Sequence, residues 1–151
     1  MLLRTARLIA TLAVAVVLGS CSGDGNPFEP LPGGLSLPVS LTTTYDVDAG
    51  AVERLDIVPV AGAAELTWSL VSAPCLMADA SALRSGNVIE VRIHRSGNPL
   101  ALCVDRPESY RYVARVQVPA PGVYEIRLYD DLLGQPLRPV GRASVRVTAG
   151  V

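Results

Sequence analysis

NVIEVRIHR, residues Asn87–Arg95, alternates without a slip: Ile89, Val91 and Ile93 fall on one side, Glu90, Arg92 and His94 on the other. Side chains of an extended strand point to opposite faces with a period of two, whereas an amphipathic helix repeats every 3.6 residues. A strand that is apolar on one face and polar on the other belongs to a sheet with one wet side and one covered side.

The same period recurs on both sides of this stretch. ELTWSLV sets Leu66, Trp68 and Leu70 against Glu65, Thr67 and Ser69, and VERLDIVPV sets Leu55 and Ile57 against Arg54 and Asp56. Downstream, YRYVARVQV sets Tyr112, Ala114, Val116 and Val118 against Arg111, Arg115 and Gln117. GVYEIRLYD sets Tyr124, Ile126 and Leu128 against Glu125 and Arg127, and RASVRVT sets Ala143, Val145 and Val147 against Arg142, Ser144 and Arg146. With Leu35–Thr43 at the start, seven strands are predicted. Gly and Pro mark the joints, at Ala61-Gly62, Ser96-Gly97-Asn98-Pro99, Pro119-Ala120-Pro121-Gly122 and Gly134-Gln135-Pro136. CLMADASAL, which begins at Cys75, is the one stretch read as a short helix. Two half-apolar sheets must cover each other, so an all-β antiparallel sandwich over residues 35–151 is expected.

The strand count, the tryptophan inside the third strand and the tight turn before Tyr124 resemble an immunoglobulin-like or fibronectin-like β-sandwich. The resemblance implies a buried Trp68 and a tyrosine corner at Tyr124. It departs at Ile126, which stands where an antibody-type domain has its second cysteine.

The first 21 residues follow a different logic. Arg4 and Arg7 precede an apolar run, Leu8–Leu18, interrupted only by Thr11, and small Gly19 and Ser20 follow. This is the layout of a secretory signal peptide, and its apolar core is shorter than the ~17–25 residues a membrane span needs. Leu18-Gly19-Ser20-Cys21 resembles the lipobox of bacterial lipoproteins. That resemblance implies cleavage between Ser20 and Cys21 and a diacylglycerol thioether on Cys21, which would hold the chain to a membrane. Ser22, rather than an aspartate, follows the cysteine; by the same resemblance the chain would reach the outer membrane of a host that has one. Residues 22–34, SGDGNPFEPLPGG, are rich in Gly and Pro and are expected to form a flexible tether.

The two remaining cysteines, Cys75 and Cys103, would form a disulfide in an exported, oxidising setting. They follow the third and fourth strands, which end at opposite poles of a simple sandwich. The pairing therefore expects LALCV, residues 101–104 with Leu100, to return beside the fourth strand as an eighth strand.

Little in the chain points to catalysis. The chain has one histidine, His94, expected as an outward, solvated side chain, and no nucleophile motif accompanies it. No His/Cys set suits zinc, and no cofactor is expected. Asp46 with Asp48 and Asp130 with Asp131 are read as solvated loop acids rather than calcium ligands. The whole chain carries a net charge of −1 and its basic residues are all arginine; the leader removes two of these, so the mature part is mildly acidic and nucleic acid is not an expected partner. DDLLGQPLRP places Leu132, Leu133 and Leu137 in a loop, where leucines either tuck under the domain edge or present an apolar patch to a partner. VDRPESYR offers Arg106, Tyr110 and Arg111 as a second, polar surface. The expectation is a non-enzymatic, lipid-anchored protein of the bacterial cell envelope that binds an envelope protein or a glycan. A small periplasmic or secreted inhibitor or ligand-binding protein that presents a loop to an enzyme or glycan is the alternative.

Overall fold

The computed structural model describes residues 34–45, 53–73, 75–97 and 107–150. The leader, Cys21, the tether to residue 33, and residues 98–106 with Leu100, Cys103 and Arg106 lie outside the described residues, as do Asp46 and Asp48. Nine strands are present among the described residues: β1 (Leu35–Ser36), β2 (Val39–Tyr45), β3 (Arg54–Val60), β4 (Ala63–Ser72), β5 (Leu76–Ser85), β6 (Val88–Gly97), β7 (Glu108–Gln117), β8 (Gly122–Leu132) and β9 (Arg138–Val147). They form a five-stranded sheet, β1-β5-β6-β8-β9, facing a four-stranded sheet, β2-β7-β4-β3. The all-β sandwich expected from the alternation is what the structure shows.

Two strands more than the seven read directly from the alternation arise for separate reasons. The first strand is cut at Leu37-Pro38, so that β1 pairs with β5 in one sheet and β2 with β7 in the other. The crossing is pinned by Leu37 N–H donating to Ala82 O at 2.9 Å and Gln117 N–H donating to Pro38 O at 2.9 Å. The stretch CLMADASAL is not a helix: it forms most of β5, antiparallel to β6 over ten residues on each strand. Alanine favours helix in isolation. Here Ala78, Ala80 and Ala82 pack toward the core, while Met77, Asp79 and Ser81 point outward. The ladder with β6 and the turn at Gly86, whose φ of 60° suits glycine, outweigh that local preference.

The sandwich is not antiparallel throughout. β6 and β8 run parallel, with Ile89 opposite Ile126 and Val91 opposite Leu128. Between them the chain crosses to the other sheet, runs back as β7, and crosses again. A parallel pair needs such a long crossover, and here a strand of the opposite sheet supplies it in place of a helix.

The inward faces meet in one core. Trp68, Leu66, Ile89, Val91, Ile93, Tyr112, Val116, Ile126 and Leu128 are all at most 1% exposed. Burying each large aliphatic chain contributes about 1.5–3 kcal/mol. Trp68 lies against Tyr112 with ring centroids 5.4 Å apart. At the β7–β8 corner the Tyr124 hydroxyl donates to the Ala120 carbonyl at 2.9 Å, the bond that a tyrosine corner makes. On the β3–β9 side the sheets close tightly: a Cβ on Gly141 would stand 2.8 Å from Leu55 Cδ2.

Removing only the corner bond tests its weight. Tyr124→Phe is expected to fold with unchanged secondary structure and to lose about 1 kcal/mol, seen as a melting midpoint lowered by about 4 °C; circular dichroism melts compare the two proteins.

Candidate functional site

The inward row of β6 ends on a charge. After Ile89, Val91 and Ile93, the next residue on that face is Arg95; on β8 the row Ile126, Leu128 ends on Asp130. Both are 4% exposed. Arg95 grips Asp130 with two bonds, Nε to Oδ1 at 2.7 Å and Nη2 to Oδ2 at 2.6 Å, and its Nη1 donates to Ser72 Oγ on β4 at 2.7 Å. A buried charge persists only when paired and hydrogen-bonded in this way.

A second arginine joins from β9. Between Leu128–Gly141 and Tyr129–Pro139 the register shifts, leaving Val140 as an extra residue. This bulge turns the following residues by one face, so Arg138 stands opposite Asp130. Arg138 Nη2 donates to Asp130 Oδ2 at 3.1 Å. It also forks onto Glu53, Nη1 to Oε2 and Nη2 to Oε1, each at 2.9 Å. Glu53 Oε1 in turn accepts the Trp68 indole N–H at 2.8 Å. Both guanidinium carbons stand over the Trp68 ring, Arg95 at 5.4 Å and Arg138 at 5.7 Å from its centroid. The Arg138 hydrogen bonds hold the Glu53 carboxyl below its ordinary pKa, against a partial rise from burial.

This network floors an open cleft of about 770 Å³ at one end of the sandwich. Its walls are mainly apolar and include Leu70, Val71, Leu132, Pro136 and Leu137. The three leucines of the loop divide. Leu132 and Leu137 are half-buried and line the cleft, whereas Leu133 is 78% exposed. Leu132 and Leu137 are thus partly covered at the domain edge, while Leu133 projects. The turn is fixed by Leu133 N–H on Arg95 O at 2.9 Å and Gln135 N–H on Leu132 O at 2.8 Å, with Gly134 at φ 82°.

Asp130 is therefore not a solvated loop acid, because it continues the buried row of a strand. Asp131 points to the opposite face of β8, where it accepts from His94 Nδ1 at 2.7 Å. The two carboxylates diverge and do not converge on one cation. His94 is outward and half-exposed as expected, but it is held at both ends, since Nε2 lies 2.8 Å from Ser81 Oγ. The nitrogens are ordered as in a Ser-His-Asp triad. The chain crosses an outer sheet face, however, and the shallow recess next to His94, about 210 Å³, is lined by Asp79, Met77, Asp131 and Leu133 but not by Ser81. A nucleophile needs a place for the reacting atom beside it.

Of the polar candidates near residue 110, Tyr110 donates to Glu108 Oε2 at 2.7 Å, and burial together with that carboxylate pushes its hydroxyl pKa up to about 12. Cys75 is half-buried immediately before β5, with φ at 61°, the one non-glycine residue in the left-handed region among those described. Its expected partner, Cys103, lies outside the described residues.

Sequence reasoning missed the Arg95–Asp130 pair; the part of it that was legible is that two inward rows each end on a charge, of opposite sign, while the adjacency of β6 and β8 was not. Arg138 and Glu53 carried no such signal. A comparison with known protein families, curated proteins and solved structures finds no match to this chain.

Breaking the pair should be far costlier than breaking its exposed extension. Asp130→Ala leaves the Arg95 guanidinium buried without its carboxylate and is expected to lose about 3–5 kcal/mol of stability, whereas Arg138→Met should lose about 1 kcal/mol or less; urea titrations separate the two. The Glu53 carboxyl contributes stability that is fully present above its unfolded pKa, near 4.5, and is lost as pH falls through its lower folded value. Glu53→Gln is accordingly expected to flatten the fall in stability below about pH 4.5, measured by urea midpoints across that range.

Proposed function

We propose that this chain is a lipid-anchored binding or scaffolding protein of the bacterial cell envelope, whose folded domain works without catalysis. The observation that carries the binding role is the cleft floored by Arg95, Asp130, Arg138 and Glu53. Its charged groups are already satisfied by one another, so the floor is rigid before any partner arrives. Pre-ordering of this kind lowers the entropy lost on binding. Leu132, Leu137 and the neighbouring prolines supply apolar wall, and a volume of about 770 Å³ accommodates a few side chains or a small saccharide. The partner on this reading is an envelope protein or a glycan.

The anchoring role is supported by Leu18-Gly19-Ser20-Cys21 and the Gly/Pro-rich stretch after it. Two acyl chains or more give stable membrane attachment, at about 0.8 kcal/mol per buried CH₂. One observation favours the alternative of a small periplasmic or secreted inhibitor. Leu133 projects from a hydrogen-bonded turn, a form suited to insertion into a partner's site.

Extraction from bacterial membranes followed by intact mass measurement tests the anchored form. The expected mass is that of a chain starting at Cys21 with diacylglycerol attached, increasing by a pair of hydrogens when a Cys75–Cys103 bond is reduced. Cys21→Ser should move the protein to the soluble fraction. Soluble, lipid-free wild-type protein would instead favour the inhibitor.

A further inference from the structure

Three N–H donors converge on one carboxylate in the cleft. Glu53 Oε2 accepts from Arg138 Nη1 at 2.9 Å, and Glu53 Oε1 accepts from Arg138 Nη2 at 2.9 Å and from the Trp68 indole at 2.8 Å. Two parallel bonds from one guanidinium are the geometry by which arginine recognises carboxylates. The donors are held from behind. Trp68 is buried, Arg138 Nη2 is also tied to Asp130 Oδ2, and the Arg138 guanidinium stands over the indole ring.

The carboxylate itself is held less firmly. The Glu53 and Arg138 side chains are 40% and 45% exposed, and both line the cleft. Ion pairs this open to water add little to stability, so one carboxylate replaces another at small cost. Glu53 stands one residue before β3, whose ladder with β4 begins at Arg54, so its side chain leaves without breaking a pair of that ladder. Asp130 has no such freedom, being buried and gripped by Arg95. With Glu53 swung into water, the floor holds two guanidinium groups, Arg95 and Arg138, against the single carboxylate of Asp130. An anion is then the complementary ligand. The walls beside it are aliphatic, from Leu70, Val71, Leu132, Pro136 and Leu137, and match the aliphatic side chains of a peptide.

We propose that Glu53 is a stand-in ligand: the Arg138 fork and the Trp68 indole N–H receive a carboxylate of a partner protein, flanked by aliphatic side chains that the cleft walls cover, and Glu53 swings into water as it arrives. This rests on the binding role proposed for the cleft. Trp68 is the chain's single tryptophan, so its indole N–H gives one isolated resonance in proton–nitrogen correlation spectra of the full chain. Three peptides are titrated: acetyl-leucyl-alanyl-leucine, with a free terminal carboxylate; its amide; and acetyl-leucyl-glutamyl-leucinamide, with the carboxylate on a side chain. At least one of the two acids is expected to shift the resonance and to bind about tenfold or more tightly than the uncharged amide. Whichever does so identifies the carboxylate as that of a chain terminus or of an acidic side chain. Glu53→Gln removes the competing anion and should tighten acid binding by about tenfold, because apparent affinity falls with the fraction of sites that stand open. Arg138→Met should erase the difference between acid and amide. The same spectra report whether each variant is folded, and the comparison of acid with amide on the wild-type chain stands without them. Equal binding of acid and amide, or weaker acid binding by folded Glu53→Gln, would overturn the exchange and leave the cleft a binding site. Galacturonate binding as tightly as the peptide acids would overturn the protein partner in favour of an acidic glycan. Failure of the peptides and of galacturonate on wild type and Glu53→Gln alike would overturn the exchange and the cleft's binding role together.

Discussion

Placing an arginine and an aspartate inside a small β-sandwich is the constraint around which one end of this protein is built. Each ion taken from water alone costs several kcal/mol, and mutual attraction offsets this only when the geometry is good and the remaining donors are occupied. Arg95 and Asp130 meet both conditions. Their two bonds join β6 to β8 within one sheet, and Arg95 reaches across to Ser72 in the other. The spare lone pair of Asp130 is taken by Arg138, whose own spare donors are taken by Glu53, whose spare lone pair is taken by the Trp68 indole. Burial demands partners for Arg95, Asp130 and the Trp68 indole, whereas Arg138 and Glu53, 45% and 40% exposed, link them at the water's edge. The β9 bulge belongs to this chain of requirements, since in unbroken register Arg138 would point to the other face.

The opposite end is held by weaker and more local devices: the Leu37-Pro38 crossing, the Tyr124–Ala120 bond and tight turns. Hydrophobic packing fills the middle. The domain is thus polarised along its strands. One pole receives the chain at Gly34 and Leu35; the other has a charged floor, apolar walls and a projecting leucine. Such polarity is natural for a sandwich, because its strands leave loops only at the two ends.

His94 shows how a sheet face assembles a familiar constellation, with Asp131 on Nδ1 and Ser81 beside Nε2. Ser81, His94 and Asp131 lie on adjacent strands β5, β6 and β8, so outward side chains on neighbouring rows come within bonding reach by ladder spacing alone. What a hydrolase adds is a cavity and donors around the nucleophile. The cleft lined by Arg95, Asp130 and Arg138 lies elsewhere.

The period-two alternation by itself determined the sandwich, the inward placement of Trp68, Ile89, Val91, Ile126 and Leu128, and the positions of most turns, because burial of one strand face is encoded residue by residue. Tyr124 was legible for the same reason, its bond being local to the corner before it. Three things were decided only by tertiary structure. β5 is a strand because β6 offers it a ladder, against the helical preference of its alanines. β6 and β8 are parallel neighbours because β7 lies in the other sheet, and alternation says nothing about which strands adjoin. Glu53, Arg95, Asp130 and Arg138 become one network because a single bulge on β9 re-aims Arg138 across 85 residues of chain toward Glu53, and register shifts of one residue leave no trace in composition or period.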